Sequence, residues 1–282
     1  MLGRVVGGSP IPEETETDVG KREPGKVPRI AANIAAKIER GVYKPGSALP
    51  SVPELQAAEG IAYQTARDVY GLLEDQGLVF SRRGKGTYVS LVLGKVLRDG
   101  TSRYLPTARS EGGAVGAFDA EIRRLGLVYK PLPTVIARER PPKRVADLLG
   151  LHHATKALKR ERVMPVARPD NDDVSEVVQL ATSWFPPDVV DQCPQLEEQN
   201  TGPGGSKSRL AEAGYAQVRL REEIEVRAPS EAEAAALGIP ADQAVLEITH
   251  QGLTAEDRIV EICLHVMPRT KWRLAYEWVI GS

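Results

Sequence analysis

The segment from Pro28 to Ser90 constrains the fold most: three short apolar-periodic runs, each ended by a glycine, lead into two β-prone arms around the tip Arg82-Arg83-Gly84-Lys85-Gly86. Ile30, Ile34 and Ile38, with Ala31 and Ala35, form an i, i+4, i+8 stripe, and Gly41 stops it. A turn-rich link with Pro45, Gly46 and Pro50 follows. Ser51 then stands three residues before Glu54, a capping-box spacing that predicts a second short helix through Leu55 to Glu59, closed by Gly60. The third run, Tyr63 to Gln76, places Ala66, Val69, Tyr70 and Leu73 on one face, with Gly77 beyond its end. Two helices joined by a tight glycine link make a helix-turn-helix. The arms Leu78–Ser81 and Thr87–Ser90 add a hairpin whose cationic, glycine-rich tip lets backbone and charge approach phosphates closely.

Charge distribution agrees with an anionic partner for this segment. Residues 26–90 carry nine basic and six acidic side chains, whereas the chain as a whole has a net charge of −1. Near-neutrality with 41% hydrophobic residues excludes a wholly basic coat protein and an acidic disordered chain. No apolar run approaches the ~18–20 residues that cross a bilayer. Two cysteines, Cys193 and Cys263, make neither a disulfide framework nor a four-cysteine zinc site, so a reducing cytoplasm is expected. Residues 1–24 mix Gly, Pro, Glu and Thr and read as a flexible tail.

The stretch Ile30–Ser90 resembles the N-terminal DNA-binding domain of the GntR family of bacterial transcription regulators. The resemblance is carried by Pro45-Gly46, Leu49-Pro50-Ser51, Glu54-Leu55, Gly60-Ile61, Thr65, Arg67, Leu73-Glu74, Gly77-Leu78 and Gly84-Lys85-Gly86-Thr87-Tyr88-Val89. It implies that Tyr63, Gln64, Thr65 and Arg67 on the recognition helix, with Arg83, Gly84 and Lys85 on the wing, meet double-stranded operator DNA. Two departures fall at the contact surface. Pro53 stands where the family places an arginine, and Ala62-Tyr63-Gln64-Thr65-Ala66-Arg67 replaces Ser-Arg-x-Thr-Val-Arg. Gln64 suits adenine and the Tyr63 ring suits a thymine methyl, although Tyr63 packed on the second helix is an equal alternative.

Beyond a short linker, residues 91–101, the pattern turns to mixed α/β. Strands are expected near Leu132–Arg138, Thr155–Pro165, Val177–Phe185, Arg219–Ala228, Ala244–Leu253 and Ile259–Met267. Helices are expected over Ser206–Ala213 and, from a second capping-box spacing at Ser230 and Glu233, over Ser230–Leu237. Residues 102–282 resemble the UTRA effector-binding domain of the HutC branch. Arg160 and Arg162, Ser183-Trp184-Phe185-Pro186, Arg227-Ala228-Pro229-Ser230, Leu237-Gly238-Ile239-Pro240 and Val260-Glu261 carry this likeness. The expected architecture is α+β: an N-terminal winged helix-turn-helix, residues 25–90, joined to a C-terminal UTRA domain of chorismate-lyase-like fold.

The resemblance implies a homodimer joined through the C-terminal domains and released from a palindromic operator by a small-molecule effector. It assigns Arg160, Arg162, Ser183 and Glu261 to the effector pocket. Two guanidinium groups suit an acidic group on the effector. Arg160 and Arg162 lie two apart on a strand and share a face, so an anion is expected between them, either the effector or Glu261 itself. Met267 stands where a tyrosine often follows that glutamate, which leaves a sugar phosphate unsecured as effector. Neither a metal site nor a cofactor is expected: His152, His153, His250 and His265 lack zinc spacing, and no phosphate-loop or nucleophile-elbow motif occurs. Gly202-Pro203-Gly204-Gly205 reads as a mobile loop. A ligand-responsive repressor, cytoplasmic, nucleoid-associated and with no membrane partner, is the leading reading. An enzyme of chorismate-lyase-like fold and an effector-free regulator of plasmid maintenance or transfer are the alternatives.

Overall fold

The computed structural model describes residues 25–82, 84–105, 107–108, 114 and 116–280. Helices α1 (Lys26–Glu39), α2 (Val52–Glu59) and α3 (Tyr63–Asp75) precede a hairpin of β1 (Val79–Arg82) and β2 (Gly86–Val89). The isoleucine stripe of α1 is buried against Leu55, Ala66, Val69 and Leu73, and Val79 and Val89 of the hairpin close the same cluster. Both halves of the capping box at α2 form: Ser51 Oγ accepts from Glu54 N, and the Glu54 carboxylate accepts from Ser51 N. Gly60 ends α2 at φ 59°, the left-handed region where glycine avoids the Cβ clash. Ala62 then caps α3 with no side-chain bond.

The remaining chain adds β3 (Val96–Asp99), α4 (Ala117–Arg123), β4 (Val128–Tyr129), β5 (Val135–Glu139), α5 (Lys143–Leu149), β6 (Ala157–Arg168) and β7 (Asn171–Phe185). After these come α6 (Pro187–Gln192), a 3-10 turn (Pro194–Glu197), α7 (Gly205–Glu212), β8 (Arg219–Arg227) and α8 (Glu231–Leu237). The last strands are β9 (Val245–Leu253), β10 (Ile259–Pro268) and β11 (Trp272–Ala275). An antiparallel sheet runs β4-β6-β7-β10-β9-β8, with β5 beside β4 on the outer edge of β6. The second capping box, Ser230 with Glu233, forms at α8. Helix α5 packs with Trp184 and Ile262 on one face of this sheet, and α8 covers Val245 and Val266.

The opposite face meets the segment that leaves the hairpin. Leu91, Val92 and Val96 are buried with Phe118, Ile122, Val166, Ile248, Met267 and Trp272. Strand β3 pairs in parallel with β11, Val96 opposite Trp272, across 176 residues of sequence. Leu91, Val92 and Val96 of the expected linker are thus buried in the C-terminal core, while Leu93, Gly94, Lys95 and Leu97 stay exposed. Met267 is fully buried in that core.

A buried ion pair joins the two parts. Lys271 Nζ lies 2.7 Å from Glu176 Oε1, with side chains 6% and 3% exposed. The ammonium also donates to Gly77 O at the end of α3 and to Ser90 Oγ. Glu176 in turn accepts from Leu91 N at 2.8 Å. Gly77, at φ 72°, has Thr270 so close that an added Cβ would fall 2.9 Å from the Thr270 side chain. The recognition helix therefore ends directly on the C-terminal half.

Candidate functional site

Helix α3 shows solvent the residues that its apolar stripe leaves over. Gln64 and Arg67 are exposed, Thr65 is half-buried, and Tyr63 is 52% exposed. Gln64 Nε2 donates to Asp68 Oδ1 at 2.8 Å, one turn along the helix. At the hairpin tip Gly84 and Lys85 are exposed, and Gly84 takes φ 72°. Arg83 lies outside the described residues. Arg82 is drawn off the tip: Nη1 donates to Asp173 O at 2.7 Å, and the guanidinium lies over Tyr88.

On the C-terminal sheet, strand alternation brings Arg160, Arg162 and Met164 of β6, Gln179, Ala181 and Ser183 of β7, and Glu261, Cys263 and His265 of β10 to one face. These residues form the floor of a cavity of about 510 Å³. All four sequence-assigned pocket residues, Arg160, Arg162, Ser183 and Glu261, line it. Three are joined in series. Arg162 Nη2 donates to Ser183 Oγ at 2.8 Å, and Ser183 Oγ donates to Glu261 Oε1 at 3.0 Å.

Arg160 is engaged differently. Its Nη1 donates to Leu196 O and to Glu198 O (2.6 Å), and its Nη2 donates to Gln199 O at 3.3 Å. Burial, and then the neighbouring Arg162 charge, holds its pKa down to about 10. Among the described residues neither guanidinium forms a direct salt bridge with Glu261, although the carboxylate charge acts on both. Arg160 instead pins the chain that enters the loop Gln199–Gly205, and that loop is a cavity wall.

Glu261 takes its partners from elsewhere. Its Oε2 accepts from Gln217 Nε2 at 2.9 Å and lies 3.4 Å from Lys207 Nζ. Burial opposes its ionisation, but Lys207, His250 and Gln217 together pull its pKa to about 2. Lys207 also donates to His250 Nε2 at 3.0 Å. An ammonium only donates, so Nε2 accepts and Nδ1 carries the proton, which it gives to Glu222 Oε1 at 3.0 Å. Burial and Lys207 lower the His250 pKa to about 4, against the pull of Glu222. Glu222 lies 2.6 Å from Arg98 Nη2 of β3 and accepts from Tyr104 and Tyr276. A polar chain thus runs from the cavity, through Lys207, His250 and Glu222, to the strand that continues from the hairpin.

Sequence reasoning did not single out Lys207, His250 or Arg103. No local pattern marks them; only the glycine run directly ahead of a helix signalled that Lys207 sits at a helix N-terminus. Gly202, Gly204 and Gly205, expected in a mobile loop, line the cavity. Among the described residues no group of three or more His, Cys, Asp or Glu is placed to hold a metal ion, and no helix is long and apolar enough to cross a membrane.

A winged helix-turn-helix fused to a sheet with a polar cavity defines a DNA-binding transcription regulator. The chain belongs to the UTRA domain family, whose profile matches residues 126–273, and residues 26–89 match the bacterial regulatory proteins of the gntR family. An HTH-type transcriptional regulator from Streptomyces coelicolor is 28% identical over 257 residues, covering 89% of this chain and 91% of the relative. The mannosyl-D-glycerate transport/metabolism system repressor MngR of Escherichia coli is 41% identical over 61 residues, 22% of this chain and 25% of MngR. The crystal structure of PhnF from Mycobacterium smegmatis shares the fold, with a TM-score of 0.54 at 18% identity over 89% of this chain and 100% of PhnF.

Proposed function

We propose that the protein is a HutC-branch repressor that binds a two-fold operator as a homodimer and leaves it when a small acidic molecule enters the cavity. Residues 25–90 are the DNA-binding domain, 91–101 the connection, and 102–282 the effector and dimerisation domain. One observation carries the effector reading: among the described charged side chains lining the cavity, Arg103, Arg160, Arg162 and Lys207 are cations, and Asp119 and Glu261 are the carboxylates. A buried excess of cations is relieved by an anion. The edge strand β8 supports the dimer, since Ile224 and Val226 are 44% and 62% exposed along it. Release follows when the acidic molecule binds the DNA-incompetent arrangement more tightly than the competent one.

Tyr63, Gln64, Thr65 and Arg67 enter the major groove, and Arg83, Gly84 and Lys85 meet the flanking backbone. Arg67→Ala should weaken binding to a duplex selected from random sequence by roughly tenfold or more, on the order of 1–3 kcal/mol. Arg83→Ala with Lys85→Ala should weaken all duplexes alike and flatten the salt slope by about one unit for each phosphate no longer engaged. Fluorescence anisotropy at several salt concentrations measures both. Unchanged affinity and slope in the two variants would remove the DNA interface from this surface.

A further inference from the structure

The cavity has a second polar end that the Arg162–Ser183–Glu261 series does not use. Arg103 is 5% exposed and lines the cavity, yet among the described residues its Nε and Nη1 have no hydrogen-bond partner. Its Nη2 lies 3.1 Å from Glu121 Oε2, an ion pair whose geometry makes no hydrogen bond, and its guanidinium sits 5.0 Å over the Tyr104 ring. Gln179, 1% exposed, repeats the pattern with the opposite polarity. Its Nε2 lies 3.1 Å from Met164 Sδ, an atom that only accepts, and 3.2 Å from His265 Nδ1. The amide orientation is therefore set, and its Oε1 is left with no donor. Arg162 Nε is unpartnered as well.

Buried donors and acceptors left unpaired are costly, and native folds keep them where a ligand supplies the missing partner. The register places the three groups relative to one another. Arg162 lies opposite Ala181, and Ala181 opposite His265, a row across β6, β7 and β10 that spans about 10 Å at the usual strand spacing. Gln179 is the next residue of β7 on the same face. Arg103 lies over the Tyr104 ring, which sits 4.6 Å from the His250 ring, itself 6.1 Å from His265 at the far end of that row from Arg162.

Resting on the reading of this cavity as the effector pocket, we propose that Arg103 and Gln179 are a second anchor. The effector class is then a small organic molecule with an anionic group at each end and a hydroxyl or amine donor between them. One end meets Arg162 and Ser183, the other meets Arg103, and the donor in between serves Gln179 Oε1.

The test is thermal-shift titration of the full chain with matched probes. The two-ended probes are 3-phosphoglycerate and 6-phosphogluconate; their one-ended counterparts are glycerol 3-phosphate and glucose 6-phosphate. At least one two-ended probe should half-saturate at a concentration tenfold or more below its counterpart. Arg103→Lys keeps the charge beside Glu121 and hence the fold, but loses Nε–H and the planar fork; it should erase that advantage and leave the counterpart's affinity unchanged. Equal affinity of the counterparts, an advantage that persists in Arg103→Lys, or no binding by either two-ended probe overturns the second anchor. One-ended probes that bind the wild type and fail to bind Arg162→Ala leave the pocket reading intact in that event. Failure of every probe to bind, or binding indifferent to Arg162→Ala, removes the pocket reading too.

Discussion

Lys271→Met should destabilise the chain by about 3–5 kcal/mol, the cost of leaving a buried charge without its partner. Glu176 is 3% exposed, and with the ammonium gone its carboxylate retains only neutral donors, Leu91 N and Ser90 Oγ. Gly77 O at the end of α3 loses its donor in the same step. The double variant Lys271→Met, Glu176→Met should lose less than the single one, because it removes both charges from the low-dielectric joint. Urea denaturation of the full chain measures both. A loss under 1 kcal/mol in the single variant, or a double variant less stable than the single, would show that the pair carries no such energy. Because the pair ties the recognition helix to β7 and the residue before β11, its removal should also loosen the head. Hydrogen exchange at Gly77 to Val79 should then rise ahead of global unfolding.

Acidification from pH 7.5 to 5 should cost the fold about 2 kcal/mol through His250, with a further loss of the same sign through His265. Burial lowers the folded-state pKa of His250 to about 4, and that of His265 well below 6.5. Between these values and 6.5 the unfolded chain takes up protons that the folded chain refuses. The stability from each depressed histidine is thus complete above 6.5 and is lost as the pH falls towards its folded value. Glu261, lowered to about 2, adds its loss only below its unfolded value near 4.5, outside this window. His250→Gln preserves an acceptor for Lys207 and a donor for Glu222, so it should fold and show a shallower slope than the wild type. A flat profile between pH 7 and 5, or an unchanged slope in His250→Gln, would contradict the neutral tautomer assigned to this site.

The N-terminal unit was legible because its signals are local. Ser51 with Glu54, the αL glycine at position 60 and the α3 stripe act within a few residues, and the helices and hairpin formed within a residue or two of expectation. Ser230 with Glu233 worked for the same reason. Helices α4, α5 and α6 escaped notice, since six or seven residues cannot establish a 3.6-residue period. Pairing of β3 with β11 joins four-residue strands from opposite ends of the domain, and no local pattern encodes such a contact. At the cavity, alternation along β6 predicted a shared face for Arg160 and Arg162 but not what each guanidinium meets. Their partners, the carbonyls of residues 196, 198 and 199 and the Ser183 hydroxyl, come from other elements. The Lys207–His250–Glu222–Arg98 series likewise gathers α7, β9, β8 and β3, so it exists only once the sheet is assembled.

The most direct test of a DNA-binding head governed by this cavity uses Arg162→Ala, since Arg162 faces the cavity through Ser183 whereas Arg160 also pins the 196–199 carbonyls. Fluorescence anisotropy would follow the full chain on a duplex selected by the wild type, titrated with the low-molecular-weight filtrate of the source cells. Wild type and Arg162→Ala should bind the duplex with equal affinity before addition. The filtrate should release the wild type and leave the variant bound at the same dilution. Release of both at the same dilution, or a wild type that the filtrate never releases, would contradict an effector seated on Arg162.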